Sequence, residues 1–227
     1  MASVGDKVRT HFDETAGEFD SIYTGEKGAV GRWLDRVLRW DMYERFRRTV
    51  AECSEPGLEV LDIGCGSGRF SVAVAKAGAK RVVGLDFADR MLAIASRLAE
   101  SEGVEGQCEF LNADFMDASF DRAFDVCMAI GLFDYIPPDG CPPFLRKMRR
   151  LARRKVIATF PLKWTWRAPV RKVRLALRGC PVYFFTRPQV ERLMADAGFV
   201  NSAVERIGKI YFAVGHVPPR ENQGQAH

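Results

Sequence analysis

The chain has 227 residues, a length that is enough for one ordinary domain with a full core. Of these residues, 47% are hydrophobic and 28% are charged. The longest apolar run, residues 126–133, is too short to cross a bilayer, and residues 1–10 lack the apolar core of a secretion signal, so a cytoplasmic location is expected. The six scattered cysteines include no C-x-x-C pair, which favours reduced buried thiols and argues against a metal site.

Positive charge is concentrated in one part of the chain. The net charge is +5, but residues 140–190 contain 14 Lys or Arg and no Asp or Glu. Subtracting these 14 charges from the total leaves −9 for the remainder of the chain. One face or lobe of the protein is therefore expected to be basic.

Two helices are predicted before the first strand. Residues 5–24 place aromatic side chains at helical spacing, and residues 28–52 carry a broad apolar stripe. The stripe consists of Trp33, Leu34, Val37, Leu38, Tyr43, Phe46 and Val50. The other face of the second helix is rich in arginine, which is typical of a solvated surface. Its arginines are Arg32, Arg36, Arg39, Arg45, Arg47 and Arg48.

A glycine-rich turn follows a short apolar strand at residues 59–63. A strand, a tight turn and a helix N-terminus form a nucleotide-sized cradle in open α/β sheets. The spacing G-x-G-x-G differs from the dinucleotide fingerprint G-x-G-x-x-G, and Asp62 at the strand end would repel a pyrophosphate but attract an ammonium group. An NAD-dependent dehydrogenase is therefore the less favoured interpretation. The three glycines are Gly64, Gly66 and Gly68.

Acidic residues also mark the next two predicted strands. The strand at 81–86 ends in Asp86, 22 residues after Gly64, where nucleotide-binding α/β units place an acid that accepts hydrogen bonds from both ribose hydroxyls. The strand at 107–111 is followed closely by Asp114 and Phe115.

The remaining chain continues the alternation of strands and helices and ends in a hairpin. No repeat is visible, so we predict one domain over residues 1–217 and a disordered polar tail over 218–227. Thr186 and Gln189 form a capping box that begins the last helix. The other predicted elements are a strand within 120–130, a basic helix at 141–151, a strand at 154–160, and hairpin strands at 201–207 and 209–217.

Three segments of this chain resemble motifs of class I S-adenosylmethionine (SAM)-dependent methyltransferases, in particular the magnesium-protoporphyrin and ubiquinone-type small-molecule O-methyltransferases. Residues 62–68 resemble the first motif of that class, and residues 86–92 resemble D-x-S-x-x-M-L, with Ala88 in place of the serine. Residues 11–23 resemble a segment that forms a lid over the cofactor pocket in many relatives. The resemblance implies a Rossmann-like α/β fold, with a seven-stranded, mostly parallel sheet, a C-terminal antiparallel hairpin and helices on both faces.

The resemblance also implies SAM as cofactor, S-adenosylhomocysteine (SAH) as product, and a set of residues that bind them. The glycine turn and its acid would hold the amino-acid end of SAM, Asp86 the ribose, and the residues after the third strand the adenine. The predicted cofactor-binding residues are Asp62, Gly64, Cys65, Gly66, Gly68, Asp86, Phe87, Met91, Asp114, Phe115 and Ile130.

Methyl transfer from a sulfonium needs few catalytic groups, because the leaving thioether is neutral and alignment supplies most of the acceleration. Tyr135 and His11 are the candidate catalytic residues, although packing for Tyr135 and surface exposure for His11 are the competing interpretations. Ubiquinone-type relatives carry E-x-x-E-H after the fourth strand. Here those positions include Gly131, Asp134 and Tyr135, so we predict no metal.

A basic insert at residues 161–185 follows the fifth strand and resembles the substrate cap of those relatives. Within it, residues 164–178 predict a basic amphipathic helix, which would serve as a lid, rest on an anionic membrane, or bind RNA. RNA is the least favoured because no RNA-binding module accompanies the helix. We expect a small or lipophilic acceptor methylated on oxygen, either a hydroxyl or a carboxylate. A SAM-binding scaffold without activity is the alternative, and no pattern predicts an oligomeric state.

Overall fold

The computed structural model of the protein describes residues 40–163 and 182–219. The predicted helix at 5–24 with His11, the basic helix at 164–178 and the tail from residue 220 lie outside these ranges. The second predicted helix is described from Trp40 onward. None of the helices in the described ranges is both long enough and apolar enough to cross a membrane.

Five helices and seven strands alternate through the described residues. The helices are α1 (Trp40–Glu52), α2 (Arg69–Lys76), α3 (Asp89–Ser101), α4 (Cys141–Leu151) and α5 (Arg187–Asp196). The strands are β1 (Glu59–Ile63), β2 (Arg81–Asp86), β3 (Cys108–Asn112), β4 (Phe124–Ala129), β5 (Ala152–Pro161), β6 (Val200–Ile207) and β7 (Ile210–His216).

All seven strands form one sheet in the order β3-β2-β1-β4-β5-β7-β6. The first five strands are parallel, whereas β7 runs antiparallel to both β5 and β6. Asp62 lies opposite Gly84 on β2, and Asp86 lies opposite Asn112 on β3. The carboxyl ends of β1, β2 and β3 therefore meet at one edge. The predicted Rossmann-like sheet with a C-terminal antiparallel hairpin is confirmed.

The central strands are buried on both faces, which explains their continuous apolar sequences. One face packs against α4 and α5, and the other packs against α2 and α3. The predicted shielding of the sheet by the basic helix α4 is observed, since Phe144, Leu145 and Met148 are buried. The sequence prediction placed the start of β4 too early, because Phe120 lies before the strand and packs edge-on against Phe124 instead.

Local capping agrees with the sequence patterns. The side chain of Gln189 accepts a hydrogen bond from the Thr186 N–H at 2.8 Å, as the capping box predicts. Ala88 occupies the N-cap of α3 without a side-chain bond, and Asp89 supplies a negative charge in the first turn. Gly68 has φ 74°, and a Cβ added there would lie 2.7 Å from the Cβ of Ala95. This glycine therefore permits the close approach of α2 to α3.

Candidate functional site

Two adjoining cavities lie at the carboxyl edge of the sheet, with volumes of about 430 and 320 Å³. The first extends along the glycine turn and the end of β4, and the second extends from β2 to the turn after β3. The residues that line both cavities are Gly64, Asp86, Phe87, Leu132 and Tyr135. A ligand with two distinct ends can therefore span them.

The structure brings together all but one of the predicted cofactor-binding residues. The first cavity is lined by Asp62, Gly64, Cys65, Gly66, Asp86, Phe87, Met91 and Ile130. The second is lined by Gly64, Asp86, Phe87, Asp114 and Phe115. The exception is Gly68, which lines neither cavity and instead serves the packing of α2 on α3. Tyr135, one of the two candidate catalytic residues, lines both cavities.

Asp62 is almost fully buried at the floor of the first cavity, with 2% of its surface exposed. Its Oδ2 accepts a hydrogen bond from the Ser71 hydroxyl at 2.7 Å. Burial raises the pKa of Asp62 to about 7, and the neighbouring charge of Asp86 adds to the rise, while the bonds from Ser71 oppose it. Because a cation would favour the ionised carboxylate, this position is suited to an ammonium group.

Asp86 is oriented by two backbone N–H groups. Gly66 N–H donates to Oδ2 at 2.9 Å, and Ala88 N–H donates to Oδ1 at 3.0 Å. These bonds tie the glycine turn to the end of β2 and fix the plane of the carboxylate. Since an ionised carboxylate has about four acceptor sites, the oriented group is chemically suited to a pair of ribose hydroxyls.

The glycine turn leaves backbone exposed to the first cavity. Gly66 has φ 53°, and a Cβ added there would meet no atom within 4 Å. A Cβ added at Gly64 would lie 2.9 Å from Cδ1 of Leu132. The turn thus provides an open surface at Gly66 and a close contact at Gly64. This cradle fits the main-chain approach expected of a nucleoside with an amino-acid end.

The turn after β3 forms one wall of the second cavity. Asp114 is exposed, and its Oδ1 accepts a hydrogen bond from the Met116 N–H at 2.7 Å. The ring of Phe115 is buried, with its centroid 4.6 Å from that of Phe144. The Phe115 side chain therefore anchors the turn, which leaves its backbone and the Asp114 carboxylate as the groups that can recognise a base.

The segment after β4 closes the first cavity from the other side. Gly131 has φ 80°, and its N–H donates to Oγ1 of the buried Thr159 at 2.7 Å. Ile130 lines the cavity beside it. In the described part of the chain no group of three or more His, Cys, Asp or Glu could hold a metal ion.

The sequence interpretation of α1 was wrong for Arg45, which was assigned to a solvated face. Arg45 lines the first cavity, and its guanidinium lies 5.8 Å above the ring centroid of Phe70. Its Nε is buried and has no hydrogen-bond partner among the described residues. A planar guanidinium of this kind matches a carboxylate. In contrast, the predicted stripe residues Tyr43 and Phe46 are 54% and 38% exposed.

Further cavity residues come from both ends of the described chain. Asp41 and Met42 of α1 line the first cavity together with Lys209 and Ile210 of the terminal hairpin. Lys209 Nζ lies 3.7 Å from Asp41 Oδ2. The spacing of Met42 and Arg45, three residues apart on a helix, was the one sequence signal that places both on the same face.

Comparison with known proteins identifies the central part of the chain. Residues 60–155 match a family model described as a methyltransferase domain. These residues therefore form a methyltransferase domain. Together with the relative and the solved structures described next, this match confirms the predictions of a SAM-dependent methyltransferase and of SAM as its cofactor.

Among curated relatives, the chain is 26% identical over 215 residues to magnesium-protoporphyrin O-methyltransferase of Synechocystis, which covers 87% of this chain and 89% of the relative. It is 38% identical over 139 residues to cycloartenol-C-24-methyltransferase 1 of Oryza sativa subsp. japonica, which covers 60% of this chain but only 40% of that relative. The chain thus spans most of the first protein and less than half of the second.

The fold has close structural neighbours that contain the cofactor or its product. The magnesium protoporphyrin IX methyltransferase of Synechocystis with bound SAH aligns with a TM-score of 0.77 and 21% identity, covering 95% of this chain and all of that chain. The same protein with bound SAM aligns with a TM-score of 0.74. At this level of identity the likeness concerns the fold of the methyltransferase domain.

Replacement of Asp86 tests the ribose end of the site. We expect Asp86→Ala to weaken SAH binding at least about tenfold, because it removes an oriented acceptor and the anchor of the Gly66 N–H. Isothermal titration calorimetry would measure the Kd. Asp89→Ala is the matched control, since this acid begins α3 three residues later and lines neither cavity. Equal binding by wild type and Asp86→Ala would remove the ribose assignment.

The pH dependence of binding tests Asp62. An acid whose pKa is raised to about 7 is mostly protonated at pH 5.5, and a bound ammonium group favours its ionised form. SAH affinity should therefore rise by roughly tenfold between pH 5.5 and 7.5, with release of a proton. Calorimetry in buffers of different ionisation enthalpy measures both quantities. In Asp62→Asn the affinity should be lower at pH 7.5 and nearly independent of pH over this range.

Asp62→Asn should weaken binding at pH 7.5, but it should stabilise the unbound protein at the same pH. The folded state holds the Asp62 proton between about pH 4 and 7, so the contribution of Asp62 to stability falls as pH rises through this window. Asp62→Asn should therefore raise the thermal midpoint at pH 7.5 and have little effect at pH 4. A variant that lost stability and binding together at pH 7.5 would show a structural role only.

Proposed function

We propose that this chain transfers the methyl group of SAM to an oxygen atom of a small or lipophilic acceptor by in-line displacement. The observation that carries the proposal is the pair of adjoining cavities, with Asp62, Asp86 and Asp114 at or just beyond the carboxyl ends of three neighbouring strands. Together with the open backbone at Gly66, they provide acceptors for an ammonium group, a ribose and an amino-substituted base.

Each end of the site has a defined task in this proposal. Asp62 accepts from the ammonium group of SAM, and Arg45 binds its carboxylate as a guanidinium fork. Asp86 accepts from the ribose hydroxyls. The Asp114 carboxylate accepts from the adenine amino group while the Phe115 N–H donates to a ring nitrogen. Cys65, Met91 and Ile130 line the first cavity and pack against the bound molecule.

The reaction needs alignment more than acid or base groups. A carbon–oxygen bond forms as the carbon–sulfur bond breaks, and the electron pair stays on the neutral thioether. A carboxylate acceptor has no proton to lose, whereas a hydroxyl acceptor gives its proton to a base or to water. The chain would therefore act by holding both reactants in line and by excluding water, which provides effective molarities of order ~10⁵ M or more.

Tyr135 is the proposed polar group beside the acceptor, because it lies at the junction of the two cavities. His11 is a second proposed group, because the resemblance of residues 11–23 to a lid segment implies that it lies near the pocket. The lid helices within residues 1–52, the cap at 161–185 and the extent of the domain over 1–217 belong to the same proposal.

Oxygen as the target is supported by the relative that this chain matches over most of both lengths, which is named as an O-methyltransferase. The cycloartenol and magnesium-protoporphyrin in the names of the two relatives support a lipophilic acceptor. A non-catalytic SAM-binding scaffold is disfavoured because the cofactor-site acids and the open Gly66 are intact.

Transfer of labelled methyl tests the proposal. The protein would be incubated with a cell extract and SAM labelled with ¹³C on its methyl group, and the products would be separated by polarity. We expect label in an organic-soluble small molecule, with the ¹³C chemical shift of an O-methyl group. Label in RNA, an N- or C-methyl shift, or no transfer by a protein that binds SAH would each overturn a defined part of the proposal.

The Tyr135→Phe variant belongs in the same assay. With a hydroxyl acceptor we expect kcat to fall about tenfold or more while SAH affinity stays within threefold, because only the proton acceptor is lost. Tyr211→Phe is the control, since Tyr211 lies on β7, outside the proposed lid and cap segments, and lines neither cavity. An unchanged kcat for Tyr135→Phe would assign that residue to packing.

Peripheral contact with an anionic membrane is a separate part of the proposal. It is supported by the 14 Lys or Arg and the absence of acids over residues 140–190. The protein should co-sediment with anionic vesicles and lose this binding in high salt. Equal recovery with neutral vesicles would contradict the contact and leave the insert as a cap for a freely diffusing acceptor.

A further inference from the structure

Lys147 of α4 is bonded to the turn that forms the wall of the second cavity. Its Nζ donates to the carbonyl oxygen of Met116 at 2.9 Å and to that of Ala118 at 2.6 Å. The same ammonium lies 5.1 Å from the ring centroid of Phe115. One side chain therefore contacts three of the four residues that follow Asp114 in the chain.

Hydrogen bonds within the turn fix its shape, but they do not connect its far side to the rest of the domain. Ala118 N–H and Asp117 N–H donate to the Asp114 carbonyl at 2.9 and 3.2 Å. At its start, Ala113 N–H donates to the Asp86 carbonyl at 3.1 Å. These bonds fix the shape of the turn and one of its ends. Lys147 supplies the connection from the far side of the turn to the body of the domain.

Helix α4, which contains Lys147, is held in place by buried side chains. Phe144, one helical turn before Lys147, is buried and packs against Phe115. Met148 is fully buried beside it. The lysine stem is half-buried, so the position of the ammonium is set by a packed helix more than by solvent.

We propose that Lys147 is a positioning residue that sets the base selectivity of the cofactor site. The inference rests on the proposed function, in which Asp114 reads the adenine amino group. Asp114 Oδ1 accepts from the Met116 N–H, so the direction in which the carboxylate faces the cavity follows the orientation of the turn. A carboxylate held in that direction favours an amino group and repels a carbonyl oxygen. Loosening the turn relaxes this preference.

The test compares SAH with S-inosylhomocysteine, which carries an oxygen in place of the adenine amino group. Calorimetry on the full chain would give both Kd values for wild type, Lys147→Met, Lys147→Arg and Arg146→Met. Arg146 is the matched control because it is exposed on the same helix. Lys147→Gln provides a second variant that can still donate to one carbonyl. Circular dichroism would establish that each variant is folded.

We expect wild type to prefer SAH by about tenfold or more, since the Asp114 carboxylate loses its amino donor and faces a carbonyl oxygen in S-inosylhomocysteine. Lys147→Met should reduce the ratio of the two Kd values to about threefold or less, Lys147→Gln to an intermediate value, and Lys147→Arg should restore most of it. Arg146→Met should leave the ratio unchanged.

Failure of the adenine assignment and failure of the proposed role of Lys147 would give different results. A wild type without preference would overturn both the adenine assignment of Asp114 and the role of Lys147. A wild type with preference that Lys147→Met retains would overturn the role of Lys147 alone. Equal weakening of both ligands by Lys147→Met and Lys147→Gln would reduce Lys147 to a stabilising residue and contradict the proposal.

Discussion

The parallel register of β1 and β2 controls the rest of the site, because it gathers negative charge at one edge of the sheet. Asp62 and Asp86 lie near the carboxyl ends of neighbouring strands, and the charge of Asp86 disfavours ionisation of Asp62. The fold offsets part of this cost through the Ser71 hydroxyl and through the N–H groups of Gly66 and Ala88. The two carboxyl groups remain together on one side of the first cavity, so this side of the folded chain is complementary to a cationic group before a ligand binds.

Much of this edge was predictable from the sequence, because it is encoded in short contiguous patterns. The predicted strand at 81–86 coincides with β2, since branched apolar residues and a terminal acid delimit it. The glycines of the turn have positive φ, as their spacing suggested. The role of Gly68 was not predictable from this pattern. The sequence could not distinguish a glycine that lines the cavity from one that allows Ala95 of the next helix to pack closely.

The residues that sequence analysis missed depend on contacts between distant elements. Whether Arg45 faces solvent or the pocket is decided by which side of α1 lies against Phe70 and Gly131, and helical periodicity alone does not specify the neighbour. Lys209 reaches the same cavity from a hairpin at the other end of the sheet. Lys147 is harder still to predict, because its partners are backbone carbonyls, which have no signature in the side-chain sequence.

Charges of both signs on the first cavity predict a selectivity that the glycine turn alone would not provide. Asp62 at the floor suits an ammonium group, and Arg45 suits a carboxylate, so together they are complementary to an α-amino acid. A pyrophosphate could form an ion pair with the Arg45 guanidinium, but the carboxylates of Asp62 and Asp86 would repel it at close range. We therefore expect the site to discriminate against dinucleotides through like-charge repulsion as well as through the contacts proposed for SAM, although the topology of this sheet edge would accommodate either ligand.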